Sequence, residues 1–386
     1  MTSRNGRRLA FVLAAAGAGQ AAQYLARPMT SYRLLALGAG PRQVGYVAAA
    51  FAVVPVFLAI PLGRFADRRR SEALLVAGSV LLALACVGLA FGTTVWSLTA
   101  ASVVLGLGHL ALMLGVQNAI ALESHAEQHD PRFGLFTAVV SLGQLVGPLL
   151  GGAIVSSGAL RTSTTHALLA AAGLGAVGVA CAFAAGRPAG VVEPLEVSRG
   201  TVRRLLGTPG VPAGIFASVA VLSCVDVFTA YLPVLGQKEG IAPGAVGALL
   251  ALRAAASIVS RLGITTIVRH VGRTRLIALS AVISAVAIVG IGATGDFVAI
   301  AVLTAVAGFT LGFGQPLTMT MVVQLVPAQA RATALGLRLT GNRIGQAATP
   351  AAAGAIAGSS GVSAVFWLLG GILAASAIVV TTARGS

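Results

Sequence analysis

The chain has 386 residues, of which 57% are hydrophobic and only 9% charged, with a mean hydropathy of +0.93. A soluble domain carries about 25% charged residues to cover its surface, so these proportions exclude a water-soluble globule and make lipid the main solvent. The formal net charge of +16 would suggest nucleic acid in a soluble protein, but here the arginines fall in short gaps between apolar runs, and nucleic acid is not expected as a partner.

A bilayer core about 30 Å thick takes about 20 residues of helix. Measured by that length, the chain reads as an all-α membrane protein with twelve transmembrane helices. Six are predicted near 9–35, 44–62, 74–92, 97–121, 134–156 and 166–185, and six near 212–235, 244–266, 276–294, 297–323, 333–357 and 362–383. The first span follows Arg4, Arg7 and Arg8 as a secretory leader would. Further spans follow it, so it is expected to remain as an uncleaved helix. Its GAGQAA run imitates a dinucleotide-binding loop without the preceding strand, and small residues in a membrane helix serve close packing instead. Along the same span Gln20, Gln23, Tyr24, Arg27 and Ser31 recur at steps of three or four, which places them on one helix face.

Spans two and three are joined by GRFADRRR at 63–70. Span four carries His109 and Gln117, eight residues apart and roughly on one face. The HAEQH loop after it, at 125–129, lacks the order of the H-E-x-x-H zinc motif and reads as solvated loop. Span five carries a glycine series, Gly134, Gly143, Gly147, Pro148, Gly151 and Gly152, with Gln144 among them. Glycines four apart let two helices approach closely, and Pro148 removes an internal hydrogen bond, so this span is predicted to bend.

Residues 186–211 are rich in Pro, Gly and charge and too polar to span. They are predicted to be a cytoplasmic linker between an N-terminal six-helix bundle at 1–185 and a C-terminal one at 212–386. In the second half, Asp226 on span seven is the only carboxylate deep in the predicted bilayer. Arg253 on span eight, Gln315 on span ten, and Arg338 and Arg343 on span eleven add further polar groups. A charge at mid-membrane costs roughly 2.5–3.5 kcal/mol on insertion scales, which makes each a functional candidate by default. The cysteines Cys86, Cys181 and Cys224 each sit in an apolar run and make neither a disulfide framework nor a metal site.

The halves repeat. The span-five series returns in span eleven as Gly336, Gly345, Thr349, Pro350, Ala353 and Gly354, each 202 residues on. The hairpin at 63–75 returns at 266–277 with the same offset. Duplicated halves of this kind mark transporters that hold their substrate near midplane between the repeats. The loop arginines also alternate: Arg33, Arg42, Arg161 and Lys238 fall on one side, and all the other loop arginines on the other. With positive charge inside, both termini are expected in the cytoplasm and the protein in the cell inner (plasma) membrane.

GRFADRRR resembles the G-x-L-A-D-R-x-G-R-K signature of the major facilitator superfamily, with Phe65 in place of leucine and Arg70 and Ser71 in place of Gly-Arg. The span-five series is similar to the glycine-proline motif of its twelve-span drug:proton antiporter branch, and all its fixed residues are present. The resemblance implies two pseudo-symmetric six-helix bundles, a monomer without cofactor, and alternating access in which every third helix faces lipid. Spans three, six, nine and twelve contain no charged residue, in keeping with that. It further implies gating roles for Gly63, Asp67 and Arg68, and efflux of a small molecule, such as a drug, against protons. The antiporter branch has an arginine in span four where this chain has Ser102, so arginine-assisted coupling does not carry over.

On this reading Asp226 is the candidate proton carrier, paired with Arg27 or Arg253. Gln20, Gln23, Tyr24, Arg27, His109, Gln117, Gln144, Arg253, Gln315 and Arg343 are candidates to line the substrate cavity. Deep arginines outnumber the one deep acid, which favours a neutral or anionic amphiphile over a lipophilic cation. The alternatives are a solute-uptake carrier of the same fold and, less favoured, a membrane-embedded enzyme, for which no catalytic acids, bases or nucleophiles cluster.

Overall fold

A computed structural model describes residues 3–65, 71–123, 129–156, 159–186, 199–327 and 330–383. The signature residues Asp67 and Arg68, and all of the HAEQH loop but His129, lie outside them. Among the described residues there are thirteen α-helices and no strand. They are α1 (Ser3–Ala36), α2 (Pro41–Phe65), α3 (Ser71–Phe91), α4 (Val95–Glu123), α5 (His129–Val155), α6 (Leu160–Ala185) and α7 (Arg199–Leu206). After these come α8 (Val211–Lys238), α9 (Pro243–Val271), α10 (Arg273–Ala293), α11 (Phe297–Gln324), α12 (Arg331–Ser360) and α13 (Val362–Thr382).

Eleven of these helices are long and apolar enough to cross a membrane. The remaining predicted span, span eleven, is α12, which has the length at 30 residues but carries Arg331, Arg338 and Arg343 with Asn342 and Gln346. Arg331 at its start is exposed, but Arg338, Asn342 and Gln346 are turned into the protein, at 5%, 3% and 8% exposed. Packing against α8, α11 and α13 gives these groups protein partners instead of lipid, which is how a polar helix is tolerated at membrane depth. The short α7 falls inside the predicted linker. At eight residues it is too short for its period to stand out in the sequence.

The chain forms two compact units. Unit 1 is Met1–Gln43, Ala50–Pro194 and Ala242–Ala251; unit 2 is Val44–Ala49, Leu195–Ile241 and Leu252–Ser386. In unit 1, α1 packs on α4, α5 and α6, and α3 on α4 and α6; in unit 2, α8 packs on α11, α12 and α13, and α10 on α11 and α13. Arg33, placed by its sequence in an outside gap, is 4% exposed. Its Nη1 donates to the Arg161 carbonyl and Thr165 Oγ1, both at 2.8 Å, and its Nε and Nη2 to the Gly92 carbonyl at 3.2 and 3.1 Å. This buried guanidinium caps the ends of α1, α3 and α6 together.

The glycine series of α5 is a packing surface. A Cβ on Gly143 would stand 2.9 Å from the Ala21 nitrogen, and one on Gly147 2.8 Å from the Leu25 nitrogen, so α5 lies directly on the backbone of α1. Gly134, at the other end, meets nothing among the described residues. Pro148 is accommodated within a helix that continues to Val155. Further along, Gly152 meets the start of α9 at Gly247, which belongs to the same unit. In unit 2, Gly354 of α12 meets Gly45 of α2 in the same way. Gly45 and Gly247 are 202 residues apart, as are Gly152 and Gly354, so the repeat written in the sequence is repeated as a contact.

Candidate functional site

Each unit buries one polar cluster within its spans. In unit 1 the predicted stripe on α1 faces inward: Gln20 is 4% exposed, Gln23 3%, Tyr24 5% and Arg27 8%. Gln20 Oε1 lies 3.2 Å from His109 Nε2 on α4. The His109 ring stands 5.9 Å from that of Phe51 on α2, and the Arg27 guanidinium sits over the same Phe51 ring at 4.9 Å. Phe51 thus links two predicted candidates by stacking and cation–π attraction. It was missed because an aromatic in an apolar run carries no sequence signal of its own. Gln23 Oε1 is buried and has no hydrogen-bond partner among the described residues, leaving one acceptor in the cluster unused. Gln144 on α5 is half-buried, while Gln117 is exposed on α4 and does not join the group.

In unit 2 the cluster is charged. Asp226, in the middle of α8, is 2% exposed. Its Oδ2 accepts a 2.6 Å hydrogen bond from Gln346 Nε2 on α12, and Gln346 Oε1 accepts one from Arg343 Nη1 at 3.0 Å. The amide of Gln346 therefore joins carboxylate to guanidinium, acting as donor on one side and acceptor on the other. One turn away Ser218 Oγ donates to Asn342 Oδ1 at 2.9 Å. Gln315 Nε2 on α11 donates to the Ser218 carbonyl at 3.0 Å, and Gln315 Oε1 accepts from Arg338 Nη2 at 2.5 Å. Arg253 on α9, 3% exposed, lies where α9 backs onto Gly308 of α11.

Gln346 and Asn342 were not among the residues expected from the sequence. A signal was there: Arg338, Asn342 and Gln346 recur at steps of four, the same one-face pattern that picked out α1. The repeat aligns the two clusters. Tyr24 corresponds to Asp226, Phe51 to Arg253 and Gln144 to Gln346, each at the offset of 202. One framework therefore carries aromatic and amide groups with Arg27 in unit 1, and a carboxylate with arginines in unit 2. Such an arrangement can hold a small polar or anionic group. Gly63, the part of the hairpin signature that is described, faces open space.

A sequence profile described as Major Facilitator Superfamily matches residues 9–291 and 214–385 of the chain. No match is found among curated proteins. Solved structures with the same fold include a bacterial homolog of the human lysosomal transporter Spinster, in an inward-facing and unoccupied conformation. It is 13% identical, with TM-score 0.74 and coverage of 100% of this chain and 96% of that one. The nucleoside transporter NupG is 14% identical, with TM-score 0.75 and full coverage of both chains. A D-xylose–proton symporter is 15% identical, with TM-score 0.77 and coverage of 97% and 96%.

Proposed function

The chain belongs to the Major Facilitator Superfamily, and from that premise we propose that it exports a small neutral or anionic amphiphile across the cell inner membrane in exchange for protons. It is a multi-pass membrane transporter and not an enzyme. What carries the finer reading is Asp226: a carboxylate buried at mid-helix, hydrogen-bonded to Gln346, which is itself held by Arg343. On this reading the buried carboxyl group serves as the proton carrier of an alternating-access cycle. Asp226 is the coupling residue on this account, and Gln346 and Arg343 position it.

The direction of transport rests on the resemblance of the α5 glycine-proline series to that of antiporters, and on its placement against α1. The polar groups of unit 1, Gln20, Arg27, Phe51 and His109, offer stacking, one cation and amide contacts, which suit an aromatic or amphiphilic solute with a neutral or negative polar end. Arg27, Arg253, Arg338 and Arg343 against the single Asp226 tilt the choice further from cations. Gly63, Asp67 and Arg68 are assigned to gating on the cytoplasmic side, where both termini are placed, and the protein acts as a monomer.

The test is made in cells stripped of their own exporters and expressing the chain. Cells should retain less of a fluorescent anionic amphiphile than controls, and an uncoupler should erase the difference. Uncoupler-sensitive accumulation would instead establish proton-driven uptake, the reading favoured by the likeness to the xylose–proton symporter fold.

A further inference from the structure

The arginine-bearing end of unit 2 contains a groove lined by none of the residues assigned above to substrate or coupling. It is about 340 Å³ in volume, and Gly210 before α8, Met321 and Leu325 at the end of α11, Val380 of α13 and Arg273 at the start of α10 line it. The outer faces of α10 and α13 beside it are apolar and uncovered, with Val286 67% and Ile378 62% exposed. In a membrane protein those faces meet acyl chains. The groove therefore sits where a lipid-facing wall ends at headgroup level.

Arg273 is the one charged residue of its lining, beside the neutral Thr274 and Gln324. Arg273 Nη1 donates to Gln324 Oε1, while its Nε is buried without a partner among the described residues. Arg269 and Arg275 flank it, exposed. The amphipathic α7, with Arg203 and Arg204 exposed beside Leu206, leads directly into Gly210. From residue 199 onward the only acids are Asp226, Glu239 and Asp296. The first lies mid-helix, and the others are at the opposite ends of α8 and α11.

A general excess of arginines on one side of the membrane does not account for this, and the repeat provides the control. At the equivalent positions of unit 1, 202 residues earlier, Asp67, Ser71, Glu72 and Glu123 stand in place of Arg269, Arg273, Thr274 and Leu325. The two halves follow the same topology rule, yet the first places acids where the second has cleared them.

We propose that this groove binds an anionic phospholipid, with the headgroup phosphate on Arg273 and the first acyl carbons against Met321, Leu325 and Val380. Basic pockets between membrane helices at headgroup level are suited to such lipids. The apolar half of the lining selects a lipid over free phosphate, and the bare start of α10 adds backbone N–H groups and a favourable helix dipole for the phosphate. The volume admits a headgroup and the first methylenes, leaving the tails along α10 and α13.

The experiment uses the full chain purified in detergent, titrated with phosphatidylglycerol, phosphatidylcholine or inorganic phosphate. It reads retained lipid by native mass spectrometry and the unfolding temperature. Phosphatidylglycerol should bind saturably and raise the unfolding temperature, while the other two should not. Arg273→Gln should weaken phosphatidylglycerol binding about fivefold, the worth of one arginine near a membrane surface. Ala383→Phe, which fills the groove and leaves Arg273 in place, should weaken it at least as much, so the result does not hang on one variant folding. Equal binding of phosphatidylcholine, stabilisation by phosphate alone, or wild-type binding in both variants would overturn the proposal. None of these readouts depends on the transported substrate.

Discussion

Asp226 would normally be excluded from a membrane helix, and its surroundings show what makes it tolerable. The Gln346 amide satisfies one carboxylate oxygen and passes the contact to Arg343. This arrangement offsets part of the cost of burying both charges without placing them in direct contact. Asp226→Asn keeps the shape and loses the titratable group. It is expected to abolish gradient-driven transport while leaving substrate exchange across the membrane, and full gradient-driven activity in the variant would contradict the assignment. Gln346→Leu would remove the hydrogen bonds to Asp226 Oδ2 and from Arg343 Nη1 at once. With about 1–3 kcal/mol for each bond lost, the variant should unfold at a lower temperature and lose coupled transport. Gln346→Glu would keep the acceptor toward Arg343 but replace the donor toward Asp226 with a second acid, so it should also lower the unfolding temperature and lose coupled transport. Of these three residues Asp226 and Arg343 were legible in the sequence, because charge in an apolar run is conspicuous. Gln346 was not singled out, because an amide there is ordinary until its partners are known.

At the level of elements, α5 and α12 carry the repeat most visibly. The spacing of Gly143 and Gly147 announced a close helix contact, and the contact is with α1 at backbone distance. Gly147→Leu would drive a side chain into the α1 backbone near Leu25, an overpacking that typically costs about 1–3 kcal/mol. The expected result is a clear fall in unfolding temperature, whereas Gly134→Ala, in open space, should leave it unchanged or slightly raised. Span positions were readable throughout, because lipid forces about 20 apolar residues into each crossing. The eight residues of α7 escaped that logic, being too few to show a period, whereas α12 was predicted as a span at 333–357 although it is too polar to pass as apolar over its length, since its partners are other helices. The seam between Gly45 and Gly354, and its mate between Gly152 and Gly247, could be matched by offset but not foreseen as contacts. Sequence periodicity reports which residues share a face, and says little about what that face meets.

Taken as a whole molecule, the protein uses one duplicated scaffold for two chemistries. Where unit 1 has Tyr24, Phe51 and Gln144, unit 2 has Asp226, Arg253 and Gln346. The buried carboxylate therefore stands in the second half with Arg253, Arg338 and Arg343, while stacking and amide groups stand with Arg27 in the first. That division predicts substrate preference by sign: an anionic amphiphile should compete for transport better than its neutral ester, and a quaternary ammonium analogue should not compete at all. Preferred export of the quaternary cation would refute the basic-cavity reading while leaving the fold untouched. Proton coupling through Asp226 is tested most directly in inverted membrane vesicles holding an acid interior, carrying either the wild-type chain or Asp226→Asn. Adding a panel of anionic and neutral amphiphiles should release protons from wild-type vesicles for some compounds and from Asp226→Asn vesicles for none. Release of equal size in both would contradict the account.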